Sequence, residues 1–132
     1  MDKSLKEIVD LFSIFEDPKD KLVQLLDMAK ESEGLNQAEK TEDTRIKGCT
    51  SQSWVTIKNE DSDYFIKTDS DALIVKGLLT VLEKIFNGKT STQIQLINSS
   101  SILEIIGLNQ LISLQRTNGF VSAIDKIQEA TK

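Results

Sequence analysis

The sequence contains no histidine, one cysteine and one proline in 132 residues. Without histidine, the Cys-His and Ser-His-Asp nucleophile arrangements and the imidazole metal sites are excluded. A single cysteine cannot form an internal disulfide, and by itself it cannot hold zinc or an iron–sulfur cluster. No GxGxxG or GxxxxGK[ST] loop is present, so a nucleotide-binding fold has no support. If the protein performs covalent chemistry, the candidate is Cys49.

Positive charge and long apolar runs are also scarce. Lysine and arginine number 16 against 21 acidic residues, which gives a net charge of -5. That balance argues against a nucleic-acid partner and against docking on an anionic membrane. No apolar run approaches the length of a membrane span, and the N-terminus MDKSLKEIVD lacks the apolar core of a secretory signal. Together with the lone cysteine, these features predict a cytoplasmic location.

The composition, 39% hydrophobic and 28% charged, is that of one globular domain spanning residues 1–132. Two helices are predicted near the start. Ser4 and Glu7 form a capping box for the first helix, and Asp17 with Pro18 supplies the N-cap and first turn of the second. Gly34 is predicted to end the second helix.

The middle of the chain is rich in β-branched and aromatic residues. Residues 54–58 and 64–68 are predicted to form a hairpin around a turn at residues 59–63. A short strand at residues 45–47 is predicted to precede the hairpin. The sequence therefore indicates a small three-stranded antiparallel sheet.

Helical patterns return in the second half. Residues 69–71 form a cap-rich entry to a helix that ends at Asn87-Gly88. The further helices are predicted at residues 91–97, at 101–107 with a second capping box from Ser101, and from Ser113 to about Thr131. Gly119 lies inside the last of these, which indicates that another group packs closely against it. The order helices, sheet, helices predicts an α+β fold.

The cysteine occupies a polar bend, IKGCTSQSW, rather than an apolar run. Gly48 removes a side chain beside the sulfur and permits an unusual turn. Thr50, Ser51 and Gln52 can offer hydroxyl, amide and backbone donors to a thiolate. The alternatives are that Cys49 is a small buried hydrophobe and that its neighbours form a turn.

Two basic residues lie close before the cysteine in sequence. Arg45 and Lys47 share the parity of Cys49 on an extended chain, so they are candidates for adding positive potential near the thiol. Gly48 interrupts that alternation between them and the cysteine.

Three segments resemble the SufE family of sulfur-acceptor proteins. Residues 48–54, GCTSQSW, are similar to its GCxSxxW signature. Residues 69–78, DSDALIVKGL, are similar to its SDAxIVKGL segment, and residues 107–119, GLNQLISLQRTNG, to its GLxxxLSPSRxNG ending. Order and spacing agree over roughly residues 5 to 130.

The sequence departs from the family pattern within these segments. Thr50 stands where the family commonly has Gln, Ser53 where it has Val, and Leu114 where it has Pro. Cys49 and Arg116 remain in place, so the departures bear on which partner is recognised more than on the thiol.

The resemblance implies a fold like that of SufE and IscU, with a three-stranded antiparallel sheet and helices packed on one face. It implies that Cys49 accepts sulfur from a PLP-dependent, SufS-like cysteine desulfurase, which turns over faster as a result. The sulfur would pass to an iron–sulfur cluster scaffold of the SufBCD type or the SufU/IscU type. Such a protein is a carrier, a monomer or loose dimer without a cofactor or metal of its own, rather than a self-sufficient enzyme.

The resemblance also implies partner contacts at Asp69, Asp71 and Arg116. From the residues alone, the two aspartates are most simply helix N-terminal residues favoured by the helix dipole, and Arg116 is a solvated residue early in its helix. A carrier must protect its sulfur between transfers, so Cys49 is expected to turn toward apolar residues at the sheet–helix seam.

Two other functions fit a single thiol in this setting. The protein could regulate a desulfurase or scaffold by docking alone, with Cys49 merely structural. It could instead sense oxidants through Cys49. An independent thiol hydrolase is disfavoured because no histidine is available as a base.

Overall fold

The computed structural model describes residues 2–132, which form an α+β fold with a three-stranded antiparallel sheet. The helices are α1 Lys3–Ser13, α2 Pro18–Glu31, α3 Leu73–Phe86, α4 Ser91–Gln95, α5 Ile102–Ile106 and α6 Leu114–Ala130. The strands are β1 Ser53–Glu60, β2 Asp63–Ser70 and β3 Lys89–Thr90, in the spatial order β1-β2-β3. A 3₁₀ turn covers Gln37–Glu39. The predicted fold class is confirmed.

The hairpin of β1 and β2 extends beyond its prediction at both ends. Its register runs from Ser53 opposite Ser70 to Glu60 opposite Asp63, so only two residues form the turn. Asp61 adopts φ 57°, a left-handed conformation that aspartate tolerates better than most residues. Because side chains alternate along a strand, this register decides which side chains share a face.

The third strand is not the segment predicted. Arg45 makes only an isolated bridge to Trp54, because Gly48 turns the chain away at φ 81°. The third strand is instead β3, which lies at the opposite edge of the sheet and pairs with the start of β2. Gly88, at φ 80°, returns the chain from α3, and its N–H donates to the carbonyl of Tyr64 at 2.9 Å.

The core lies between one face of the sheet and the helices, with α3 at its centre. Val55 and Ile66 point into it from the sheet, and the inner face of α3 is buried along its length. Gly77 lies where α3 crosses α2, and a Cβ there would collide with the carbonyl of Leu25. The glycine therefore sets the close approach of these two helices.

Two of the predicted helix starts are confirmed. Asp17 caps α2 by accepting from the N–H of Lys19, with Pro18 in the first turn, and Ser113 caps α6 by accepting from the N–H of Arg116. The end of α2 is earlier than predicted, at Glu31, and Gly34 lies beyond it in the left-handed region at φ 65°.

The other predicted caps require correction. Asp2, not Ser4, caps α1, and the Ser4 hydroxyl instead donates to the carbonyl of Ile85 at 2.9 Å. Ser101 precedes α5 without a side-chain capping bond. The N-cap of α3 is Ala72, because residues 69–70 still belong to β2.

Candidate functional site

A loop of residues 46–52 carries the thiol between the Arg45 bridge and the start of β1. Both of its ends are tied to the sheet. The N–H of Ile46 donates to the carbonyl of Ser53 at 2.8 Å, and the N–H of Asp71 donates to the carbonyl of Gln52 at 3.0 Å. Gly48 turns the loop within the left-handed region, as its sequence position predicted.

The side chain of Cys49 turns inward. The residue is half-buried and packs against the hydrophobic core. Its sulfur faces Gly119 on α6, where an added Cβ would lie 3.0 Å from Sγ and 3.2 Å from the cysteine Cβ. The group predicted to pack against Gly119 is therefore the thiol itself. Helix α6 forms one wall of the niche that holds the sulfur, because residue 119 has no side chain there.

A pair of buried serines forms the other wall. The Oγ of Ser53 lies 3.5 Å from Sγ of Cys49, and the two atoms form a hydrogen bond in which either can donate. Ser53 also donates to Oγ of Ser70 at 2.9 Å, and Ser70 accepts from the N–H of Ala72 at 3.2 Å. Ser53 has no exposed surface and Ser70 is 9% exposed.

Sequence reasoning did not assign Ser53 or Ser70 to the site. Their contact depends on the hairpin register, which places the first residue of β1 opposite the last residue of β2. The sequence signal for Ser53 was its spacing of four residues from Cys49, just before a predicted strand. That spacing fits a turn equally well, so it does not identify a contact.

The predicted donors around the thiol are placed differently. Thr50 and Gln52 are exposed and Ser51 is half-buried. Of these three residues, Ser51 approaches the sulfur network through its carbonyl, 3.4 Å from Oγ of Ser53. In the described part of the chain, the side-chain hydroxyl beside Sγ is that of Ser53.

The two basic residues at the start of the loop are both exposed. Arg45 and Lys47 line a shallow depression with residues of α6, which are Ser122, Asp125 and Lys126. The hydroxyl of Ser122 also lies near Gly48, at 3.0 Å from the position of an added Cβ. The outer side of the thiol loop is thus a mainly basic surface.

Asp69 is a buried residue at the end of β2 that joins several segments near the thiol loop. Its carboxylate accepts from the N–H groups of Leu35 at 3.0 Å and Ser70 at 2.8 Å. It also pairs with Lys40 at 3.3 Å and Lys76 at 3.5 Å. Burial raises the pKa of Asp69, but these hydrogen bonds and lysines outweigh it, so the pKa lies below the ordinary 3.8.

The contacts of Asp69 hold the end of the β1–β2 hairpin in place, on the face of the sheet opposite Ser53 and Ser70. Lys40 lies 4.9 Å from the centre of the Trp54 ring, and Trp54 is opposite Asp69 in the sheet. An added Cβ on Gly34 would lie 2.5 Å from the Asp69 carboxylate. The segment around the 3₁₀ turn is therefore clamped onto the strands that carry the serine pair.

The other two predicted partner contacts, Asp71 and Arg116, are exposed. Asp71 lies at the end of the thiol loop through its bond to Gln52, and Arg116 lies three residues before Gly119 on α6. Leu73 and Leu114, the first residues of α3 and α6, are 52% and 75% exposed. Contact with a partner remains a prediction for all three charged residues, and the burial of Asp69 gives it a structural role as well.

Within residues 2–132, no group of three or more histidine, cysteine or acidic side chains is arranged to hold a metal ion. No helix in that range has both the length and the apolar content that crossing a membrane would require.

Comparison with known proteins gives consistent matches over nearly the whole chain. Residues 6–131 match the family model described as SufE, Fe-S metabolism associated domain. An uncharacterized SufE-like protein of Rhizobium etli is 32% identical, with 98% of this chain and 90% of the relative covered. Another, from Synechocystis, is 34% identical over 95% of this chain and 78% of the relative.

A solved structure supports the fold independently. The solution structure of a hypothetical protein from Thermus thermophilus superposes with a TM-score of 0.81 at 18% identity, covering 97% of this chain and 93% of the other. At that identity the likeness bears on the fold alone.

Proposed function

Because the chain belongs to the SufE family, whose domain is associated with iron–sulfur metabolism, we propose that Cys49 accepts sulfur from a PLP-dependent cysteine desulfurase. The observation that carries the proposal is the placement of the lone thiol. It sits on a glycine-turned loop, with its sulfur between Gly119 and Ser53. This niche shields the sulfur atom, and an outward movement of the loop alone would expose it.

The chemistry is thiolate attack on a sulfur–sulfur bond. The Cys49 thiolate attacks the outer sulfur of a desulfurase persulfide, R–S–SH, and a new bond forms between Sγ and that sulfur. The bond from the desulfurase sulfur breaks, and the desulfurase cysteine leaves as a thiolate. The product is a Cys49 persulfide. The exchange needs neither an oxidant nor a histidine base.

A single cysteine suits a carrier of this kind. A second thiol within reach would attack the persulfide, close a disulfide and release the cargo as sulfide. The sequence contains no other cysteine, so that loss cannot occur within one chain. Onward transfer then takes the sulfur to an iron–sulfur cluster scaffold.

Partner docking is assigned to the surface around the loop. Asp71 is bonded to the end of the thiol loop, and Arg116 lies one helical turn before Gly119, which faces the sulfur. Leu73 and Leu114, each two residues away from one of them in sequence, have exposed side chains. A desulfurase that contacts these residues would draw the loop outward, with Gly48 absorbing the change in backbone angles.

The proposal predicts the behaviour of a Cys49→Ser variant. The variant keeps the docking surface but removes the acceptor sulfur. It should bind the desulfurase with a dissociation constant within about twofold of the wild type and give no acceleration of sulfide release from free cysteine. Binding is measured by calorimetry and sulfide release by a colorimetric assay.

The second candidate, a docking regulator with a structural thiol, predicts the opposite result. Under it, Cys49→Ser would accelerate the desulfurase as fully as the wild type does. That outcome would overturn the sulfur-acceptor proposal.

A further inference from the structure

We propose that Ser53, supported by Ser70, is the positioning residue that holds the Cys49 sulfur inside its niche. The purpose of this contact rests on the proposed sulfur-acceptor function. The contact itself belongs to the isolated protein and is testable without a partner.

The geometry places a continuous line of hydrogen bonds behind the sulfur. It runs from the N–H of Ala72 to Ser70 at 3.2 Å, from Ser70 to Ser53 at 2.9 Å, and from Ser53 to Sγ at 3.5 Å. Ala72 is the N-cap of the 14-residue helix α3. The line therefore begins at the electropositive end of a helix and ends at the sulfur.

Two hydroxyls in series can serve either protonation state of the sulfur. A hydroxyl both donates and accepts, and its proton rotates to suit its neighbours. When the sulfur is a thiol, it donates to Ser53, which donates to Ser70. When the sulfur is a thiolate, Ser70 donates to Ser53, which donates to Sγ, and the N–H of Ala72 still donates to Ser70. The heavy atoms need not move between the two states.

The burial of this pair favours a purpose beyond packing. A buried hydroxyl stabilises a fold only when its hydrogen bonds are made, and an apolar side chain of equal size avoids that requirement. Ser53 shares the inward face of the sheet with Val55, which fills its site with carbon alone. The contact with the sulfur is what distinguishes Ser53 from Val55, and it gives the hydroxyl a role that an apolar side chain could not fill.

The bond acts only while the loop is closed. Once Cys49 swings out, the sulfur leaves the reach of Ser53, so the bond lowers the free energy of the sheltered state alone. Removing the hydroxyl should raise the open fraction of molecules. The exposure of the thiol to bulky reagents should rise by the same factor.

Ser53→Val and Ser53→Thr form a matched pair for the test, because valine and threonine have the same shape and differ by a hydroxyl. Cys49 in the free protein is labelled with a bulky maleimide, and the rate is followed by mass spectrometry. We expect the valine variant to label roughly fivefold faster than the wild type, the factor expected for one net hydrogen bond. The threonine variant should stay within about twofold of the wild type.

Alanine variants cover the case in which neither larger side chain fits the site. Ser53→Ala and Ser70→Ala add no atoms, and both should label faster than the wild type while circular dichroism and the melting temperature show a folded protein. Equal labelling of the valine and threonine variants, or of both alanine variants and the wild type, would overturn the role of Ser53.

A second readout follows the cargo. Wild-type and Ser53→Val proteins are loaded with sulfur by a cysteine desulfurase, separated from it, and exposed to glutathione. The persulfide should be lost faster from the variant by about the factor seen in labelling, and equal lifetimes would count against the inference. If the wild type never takes up sulfur, the proposed function fails, whereas the labelling comparison still decides the role of Ser53.

Discussion

At the scale of single residues, the site consists of the Cys49 sulfur, which lies between a glycine of α6 and the hydroxyl of Ser53. Gly119 leaves room for Sγ, and Ser53 bonds to it. Glycine costs about 1 kcal/mol in a helix interior relative to alanine. Its presence in α6 is explained by the 3.0 Å distance from an added Cβ to the sulfur.

A Gly119→Ala variant tests this contact. The thiol loop turns on a glycine and is easier to move than the helix, so the added methyl should push Cys49 outward. We predict that labelling of the free protein by a bulky thiol reagent accelerates at least about fivefold, because overpacking of this kind costs about 1 kcal/mol or more. The melting temperature should change little, since the gain in helix propensity offsets the strain.

Asn118→Ala provides the control, because Asn118 is exposed on the same helix next to Gly119. It should label at the wild-type rate. An unchanged labelling rate in Gly119→Ala would show that the sulfur does not rest against the helix.

At the scale of elements, the segment of residues 69–78 positions the thiol loop. Asp69 clamps the 3₁₀ segment, Ser70 supports Ser53, and the N–H of Asp71 holds Gln52. Lys76 reaches back to Asp69 from α3, and Gly77 lets α2 approach. This segment thus acts mainly by supporting the loop and the serine pair behind the sulfur.

An Asp69→Asn variant should lose about 2 kcal/mol of stability at pH 7, because two lysines are left without their carboxylate. The pKa of Asp69 is lowered by folding, so its contribution is fully present above the ordinary value of 3.8 and lost as the pH falls through the lower folded-state pKa. Urea unfolding at pH values from 7 to 3 should show the gap between variant and wild type closing at the acid end.

Asp71→Asn is the matched control, since Asp71 is exposed two residues further on. It should change stability by less than about 0.5 kcal/mol at any of these pH values. A gap for Asp69→Asn that stays constant down to pH 3 would mean that the charge of Asp69 contributes nothing.

Helix caps that lie within one short stretch of sequence could be predicted, whereas the pairing of strands far apart in sequence could not. Asp17 and Ser113 were assigned correctly because a cap and its helix lie in one short window. Strand β3 was missed because its two residues pair only after α3 has brought them back to β2. Asp2 was missed because Ser4, two residues later, also fits a capping pattern.

The candidate site divides in the same way. Cys49 and Gly48 stand out in the sequence by type and spacing, and Gly119 indicates a close neighbour without saying which. The contact of Ser53 with Ser70 is invisible until the hairpin register is known. The register depends on a two-residue turn that the sequence placed within a five-residue span.

At the scale of the whole molecule, the fold brings three segments to one point. The thiol loop, the end of the β1–β2 hairpin and the middle of α6 meet at Cys49, which lies half-buried at the edge of the core. The family model matches residues 6–131 and the similar solved structure covers 97% of this chain, so the fold extends over nearly the whole chain. Sulfur acceptance at Cys49 is the proposed chemistry that remains to be tested.

The most direct measurement is intact-protein and peptide mass spectrometry after incubation with an active PLP-dependent cysteine desulfurase and free cysteine. We predict a mass gain of one sulfur atom, removed by dithiothreitol and mapped to the peptide that contains Cys49, with no gain in Cys49→Ser. An unmodified Cys49 peptide, from a reaction in which the desulfurase demonstrably releases sulfide, would contradict the account.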